Sequence, residues 1–344
     1  MAKRAMSIGL MMLLSIATIA QNETNQQPTT ASAKLNAAVL YRLAIEELQR
    51  ALPVSKDAGK INMPDDLDDE NGPDFTSESW RETVRKAAVG ITLFEQASQI
   101  PTCNFDKTTD SIVTEFASNV AHFGCLRTIV EAHAYQRIKT DPCGAAGTAI
   151  QLIQHAAHCS QEPFIIAQAI CFQTEKQATK LLQVTLKHLS KLVDSQVATK
   201  RLLKQLEQHM EARPSRAKLA DISEREFASM LQHGFAVAQK SEAMTAACKR
   251  ATEIHREMTL PLRKNPPVSV AALQAHTKNY IARLKKLTNE QQVAAILKSD
   301  NGETLAAALV LSCAVDASRV LESCLEAGAA LEECRQELHT MVGQ

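Results

Sequence analysis

The sequence predicts an all-α protein, an irregular array or bundle of antiparallel helix hairpins that is at most solenoid-like. Three observations predict it. Apolar residues recur at helical spacing along most of the chain, and no strand-like alternation or hairpin signal interrupts them. Helix start signals are frequent: Asp141-Pro142 and Glu162-Pro163 place an acidic residue before proline, and Ser79-x-x-Glu82 and Ser223-x-x-Glu226 read as capping boxes. Glycine is scarce, 11 of 344 residues, and aromatics make up 4%, a composition that favours long helices in close approach. No strict period and no tetratricopeptide consensus repeats, so a regular solenoid is not shown.

Leu35, Val39, Leu40, Leu43 and Leu48 predict a first helix over 33–52, stopped by Pro53. An acidic loop follows at 56–77. The Ser79 box opens a second helix carrying Val84, Ala88, Ile91 and Ala97 to about Ser98. The third runs from about Thr109 to Lys139, the fourth from Asp141-Pro142 to about Cys159, and the fifth from Glu162-Pro163 to about Leu189. A sixth spans about 195–213, ending near Pro214, and a seventh stretch containing the Ser223 box reaches about Met258. Pro261, Pro266 and Pro267 mark a hinge or boundary. Helices over 270–286, 290–298 and 303–339 complete the chain, with Asn301-Gly302 as a break. Short connections make neighbouring helices antiparallel. The expected organisation is a helical domain over 34–260, with 268–344 packed on it or forming a small second unit.

The N-terminus reads as a signal peptide over 1–20. Lys3 and Arg4 precede an apolar run of about 16 residues, and Thr18 and Ala20 are small residues before a cleavage point at Gln21. Residues 21–33 are polar and read as a flexible leader. No later stretch is apolar enough to cross a membrane, so the mature chain is expected without a membrane span, in a periplasm or outside the cell.

Lys plus Arg equals Asp plus Glu, 38 each, which gives no general field for nucleic acid. Few aromatics argue against stacking platforms for bases or sugars. The acidic loop tempts a calcium reading, but aligning Gly72 with an EF-hand glycine puts Leu67 and Phe75 at ligand positions, so a solvated linker is favoured.

Four segments carry a resemblance: Asn36-Ala-Ala-x-x-Tyr41, Pro101-Thr-Cys-Asn-Phe105, His155-Ala-Ala-His158 leading to Glu162-Pro-Phe-Ile-Ile166, and Ser223-Glu-Arg-Glu226. On these, the stretch from about Asn36 to Gln239 resembles a group of uncharacterised exported helical proteins of planctomycete-type bacteria. Asn104-Phe105 stands where that group often has Asp-Trp, and nothing after Pro261 matches. The resemblance implies export and helical architecture and no activity.

The residues most able to carry chemistry are His122, Cys125, His155, His158 and Cys159, with His133 nearby. Counting back from the turn at Asp141 sets Cys125 level with Cys159 and His122 near His158, while His155 and Cys159 sit one turn apart. A zinc or copper site of mixed His and Cys ligands fits that spacing, and so does a Cys125–Cys159 disulfide. Against both, these residues lie off the stripes drawn by Ile112, Phe116, Phe123 and Val130 and by Ile150, Ile153 and Ala157, which suggests half-exposed surface positions. Nine cysteines leave at least one without an intrachain partner. Cys313, Cys324 and Cys334 share a side with Leu309, Val320, Leu331 and Leu338 and read as small core hydrophobes. Adjacent carboxylates such as Glu46-Glu47 and Glu332-Glu333, and the basic series Lys176, Lys180, Lys187, Lys191 and Lys200, read as solvated faces.

No nucleophile elbow, phosphate loop, His-Glu-x-x-His or haem-attachment motif occurs. Whether the chain is an enzyme stays open, with the balance against it and no cofactor expected. The favoured function is a non-enzymatic interaction or scaffold protein of the cell envelope with a protein or peptide partner. The alternative is a metal-binding protein or metal-dependent enzyme using the His/Cys cluster.

Overall fold

A computed structural model describes residues 36–54, 61–64, 73–105, 115–162, 165–190, 195–234, 242–264, 269–287 and 302–343. Among these the chain is all-helical, with eleven α-helices and one short 3-10 turn. The signal segment 1–20, the leader 21–33, the centre of the acidic loop and the helix expected over 290–298 lie outside the described residues.

Helix α1 (Ala37–Ala51) starts where Asn36 accepts a hydrogen bond from the Ala38 amide at 3.2 Å, and it ends just before Pro53. It buries Ala37, Tyr41, Ala44, Ile45 and Leu48, one stripe at helical spacing. The single helix expected from the Ser79 box is two: α2 (Glu78–Lys86) and α3 (Ala88–Ser98). The capping box does not form. Ser77 is the extended residue at the helix start, and the Ser79 hydroxyl lies inside the helix, 3.1 Å from that of Ser77. The axis breaks at buried Ala87 (φ −82°, ψ 3°), so α2 packs on α4 while α3 packs on α1 and α5. Gly90 allows the close approach of α3 to α1, because a Cβ there would sit 3.1 Å from the Ala44 carbonyl oxygen and from Leu48.

Helix α4 (Glu115–Arg137) and helix α5 (Pro142–Cys159) flank the Asp141-Pro142 signal. Asp141 caps α5 as expected, accepting from the Gly144 amide at 2.8 Å and pairing with Arg137. Helix α6 (Ile165–Leu189) and helix α7 (Ser195–Ala212) follow. The seventh stretch is again two helices, α8 (Arg216–Gly234) and α9 (Glu242–Thr259). Ser223 is no cap: it is buried in the interior of α8, whose start lies after Pro214, where the Ser215 hydroxyl accepts from the Lys218 amide at 3.2 Å. The 3-10 turn Leu260–Arg263, α10 (Val270–Leu287) and α11 (Gly302–Gly343) complete the chain.

The chain divides into two compact units, and neither begins at the 261–267 prolines. The larger holds 36–162, 170–213 and 326–343 among described residues; its fully buried large side chains include Tyr41, Trp80, Phe94, Leu126, Ile129, Leu152, Ile153, Phe172 and Leu181. The smaller holds 165–169, 214–264 and 269–325 among described residues, with Phe227, Ala220, Leu262 and Leu273 in its interior. In α11, Val320, Cys324, Leu331, Cys334 and Leu338 are buried, as their shared face predicts; the side chains of Leu309 and Cys313 lie outside the described residues.

Candidate functional site

His155, His158 and Cys159 are not half-exposed. All three are buried, His155 at 1% exposure. The expectation failed because α5 does not have one buried stripe: α3, α4 and α7 all pack against it. Ala145, Ala146, Ala149 and Ala156 are buried and small enough to let those neighbours close in.

The site is assembled from segments far apart in the chain. The Tyr41 hydroxyl of α1 lies 2.9 Å from Nδ1 of His158, hydrogen-bonded across 117 residues of sequence. His155 stands edge-on to Tyr41 and Phe94, with centroids at 4.7 and 5.1 Å, and lies 5.7 Å from Phe123. Its Nε2 is 3.7 Å from Cys159 Sγ.

The segment 100–105 closes the cluster. Asn36 receives the Asn104 amide at 3.0 Å and donates to the Asn104 carbonyl at 2.8 Å, while the Ala37 amide donates to the Thr102 carbonyl at 2.9 Å. Thr102 and Asn104 are thereby held outward, and Cys103 and Phe105 point inward. Phe105 meets Phe123 edge-on at 5.4 Å. Three of the four segments singled out in the sequence therefore meet at one place.

Electrostatics keep the cluster uncharged at neutral pH. Burial pushes His155 down to about 3, helped by His158 and Arg127. Burial pushes His158 down to about 4, against the opposing pull of the Ile100 carbonyl. Burial raises Tyr41 well above its ordinary value, with the Cys103 and Cys159 thiols adding to the effect. Cys103 is pushed up to about 12 by burial and then by Glu162, and Cys159 is raised by burial and then by Cys103. Beside the cluster, buried Arg127 donates to the Thr174 hydroxyl at 3.3 Å. Burial pushes Glu131 up to about 7, opposed by Arg127 and Lys180.

The remaining residues predicted for metal binding lie elsewhere. Half-buried His122 sits 3.1 Å from the Gln49 side chain of α1. His133 receives Arg137 at 3.1 Å. Cys125 is half-buried on α4, and no Cys125–Cys159 disulfide is present. Among the described residues no three His, Cys, Asp or Glu side chains converge to hold one ion.

Two further buried polar groupings were invisible in the sequence. Glu175, wholly buried, receives His209 at 2.6 Å and the fork of Arg213 at 2.9 and 2.7 Å. The Arg213 guanidinium also lies over Phe172, 5.5 Å from the ring centre. In the smaller unit the hydroxyl of Ser223 lies 2.9 Å from His255 Nε2, and His255 stacks on Phe227 at 4.4 Å. A serine beside a histidine suggests a nucleophile, but the surroundings oppose it. Ser223 sits inside a helix, whose amides are committed to the helix and cannot form an oxyanion hole. Burial also pushes His255 down to about 4, away from a useful base near neutrality. The pair is a helix-to-helix tie. The lysines at 176, 180 and 187 are exposed, and Lys176 pairs with Glu326.

No family model matches the chain, and no curated protein or solved structure shows significant similarity to it. No helix among the described residues is long and apolar enough to cross a membrane.

Proposed function

We propose that this chain is an exported interaction or scaffold protein of the cell envelope, acting without catalysis on a protein or peptide partner. One observation carries the reading: the imidazole and thiol groups best suited to chemistry, His155, His158 and Cys159, are buried away from solvent. Tyr41 bonds His158 and so joins α1 to α5, while Asn36 and Ala37 tie α1 to the 100–105 segment, and both Tyr41 and His158 are buried. A catalytic histidine needs access and a pKa near the working pH, and His155 and His158 have neither. In this reading the helices pair as antiparallel hairpins, which the short link between α4 and α5 favours. Such an array offers extended helix faces to a partner. Export rests on the first twenty residues and on the resemblance to exported helical proteins.

The test is localisation with site-specific photocrosslinking from exposed helix positions such as Val89 or Val197. The expected result is a chain cleaved before Gln21, found outside the cytoplasm and crosslinked to one recurring protein. A full-length cytoplasmic chain, or no crosslink above a scrambled-position control, overturns the proposal.

A second reading keeps zinc or copper. It is favoured by the 3.7 Å separation of His155 Nε2 and Cys159 Sγ, suited to two ligands sharing one ion. Metal analysis of untagged protein after loading separates the two: a stoichiometric ion lost on Cys159→Ala supports a metal centre.

A further inference from the structure

We infer that the exposed face of α7 formed by Val197, Lys200, Arg201 and Lys204 docks an acidic, partly apolar segment of a partner protein. This rests on the proposed interaction role and gives that role a surface and a partner chemistry.

Among the described residues Val197 is the most exposed large apolar side chain, at 81%. Lys200, Arg201 and Lys204 follow it by three, four and seven residues, the spacing that puts all four on one face of a helix. All four are exposed, while Thr199, Leu202, Leu203 and Leu206 are buried on the other side of α7. Lys200 is expected from sequence to belong to a solvated basic series, but its surroundings differ from those of other exposed cations. Elsewhere such cations pair with acids one turn away on their own helix: Arg50 with Glu46 and Glu47, Arg85 with Glu82, Arg335 with Glu332. On α7 no such acid is within reach, because from Ser195 to Leu206 the sequence holds three cations and no acidic residue. Glu207 is engaged by His339 at 3.1 Å, and Glu211 stands at the far end of the helix. Among the described residues Lys200, Arg201 and Lys204 make no ion pair and no side-chain hydrogen bond.

This placement works against the free protein. Lys200 and Lys204 are like charges one turn apart, and so are Arg201 and Lys204. The first turn of α7 has no acid to balance the positive end of the helix either. An acidic segment relieves the repulsion: carboxylates on successive turns meet the cations, and an apolar side chain beside them covers Val197. The composition of the face selects against other partners. Recognition of anionic lipid by charge uses clusters of about four to eight basic residues, more than this face carries. Nucleic acid is disfavoured by the zero formal net charge of the chain and by the lack of any aromatic residue from Ser195 to Ala212.

The probe is a fluorescein-labelled helical peptide with glutamates on successive turns of one face beside a leucine. It is titrated with the purified chain from residue 21, and anisotropy is read at about 50 and about 200 mM salt. The expected result is saturable binding that weakens several-fold at the higher salt and is absent when the peptide glutamates are glutamines. Combining Lys200→Gln, Arg201→Gln and Lys204→Gln weakens binding about tenfold, and Val197→Ser weakens it about threefold. Combining Lys218→Gln, Lys249→Gln and Lys264→Gln removes the same charge from exposed sites elsewhere and changes nothing. The urea midpoint of the α7 triple variant is equal to or above that of the parent, as relief of repulsion requires. Absence of saturable binding, equal weakening by the two triple variants, a lowered midpoint in the α7 variant, or tighter binding to phosphatidylglycerol vesicles than to the peptide overturns the inference. Failure here is separable from failure of the interaction role: a chain that crosslinks to a partner from Val89 but not from Val197 keeps that role and refutes this face alone.

Discussion

Replacing Tyr41 by Phe isolates one bond at the centre of the larger unit. The ring stays, so its contacts with Phe94 at 5.5 Å and Phe123 at 6.3 Å are retained and almost no cavity opens. What is lost is the hydroxyl hydrogen-bonded to His158 Nδ1 at 2.9 Å. Tyr41 and His158 are both buried, so Nδ1 is left dry without that partner. Such a loss costs about 1–3 kcal/mol. With a urea dependence of about 2–3 kcal/mol per molar, the unfolding midpoint should fall by roughly 0.3–1.5 M. Urea titration at pH 7 reads this directly. A cycle with His158→Leu checks the mechanism, since the pair should show a coupling of about 1–2 kcal/mol. An unchanged midpoint in Tyr41→Phe, or strict additivity with His158→Leu, refutes the reasoning.

Acid should weaken the larger unit from one direction and support it from another. His158 is held at about 4 against an ordinary 6.5, so the unfolded chain takes up that proton first. Stability present at neutral pH is therefore lost as pH falls from about 6.5 to about 4, on the order of 3 kcal/mol for His158. Glu131, raised to about 7 from 4.5, holds its proton in the fold and adds stability as pH falls through that range. Urea midpoints between pH 7 and 5 should thus fall more steeply in Glu131→Gln than in the parent; parallel profiles contradict this. Glu175→Ala leaves His209 and Arg213 facing a buried void and should cost about 3–5 kcal/mol, read as a lowered thermal midpoint. Gly90→Val forces side-chain atoms toward the Ala44 carbonyl, where even a Cβ has 3.1 Å, and should destabilise by about 1–3 kcal/mol by the same measurement; a neutral change would mean α1 and α3 are free to separate.

Asp141-Pro142 was legible because a cap is local chemistry: one carboxylate, one amide three residues on, one ring that fixes φ. The buried face of α11 was legible for a similar reason, since its leucines and cysteines repeat at helical spacing. Ser79-x-x-Glu82 and Ser223-x-x-Glu226 misled because the same spacing arises inside helices, where both serines lie. The break at Ala87 carries no glycine or proline; it follows from α2 and α3 packing on different neighbours. His155 and Cys159 were placed too near the surface because a stripe is a property of one helix, whereas burial of α5 depends on three others. Tyr41 escaped notice as a partner of that helix because it meets it only through tertiary packing.

The most direct test is nitrogen-detected NMR of the histidine rings, with assignments from His155→Gln and His158→Gln, followed from pH 8 to 5 and then at pH 7 with one equivalent of zinc. Sealed structural imidazoles predict that His158 stays neutral down to pH 5, that His155 does not titrate, and that zinc moves neither. Titration of either ring near 6.5, or stoichiometric zinc shifts at both, would contradict the account.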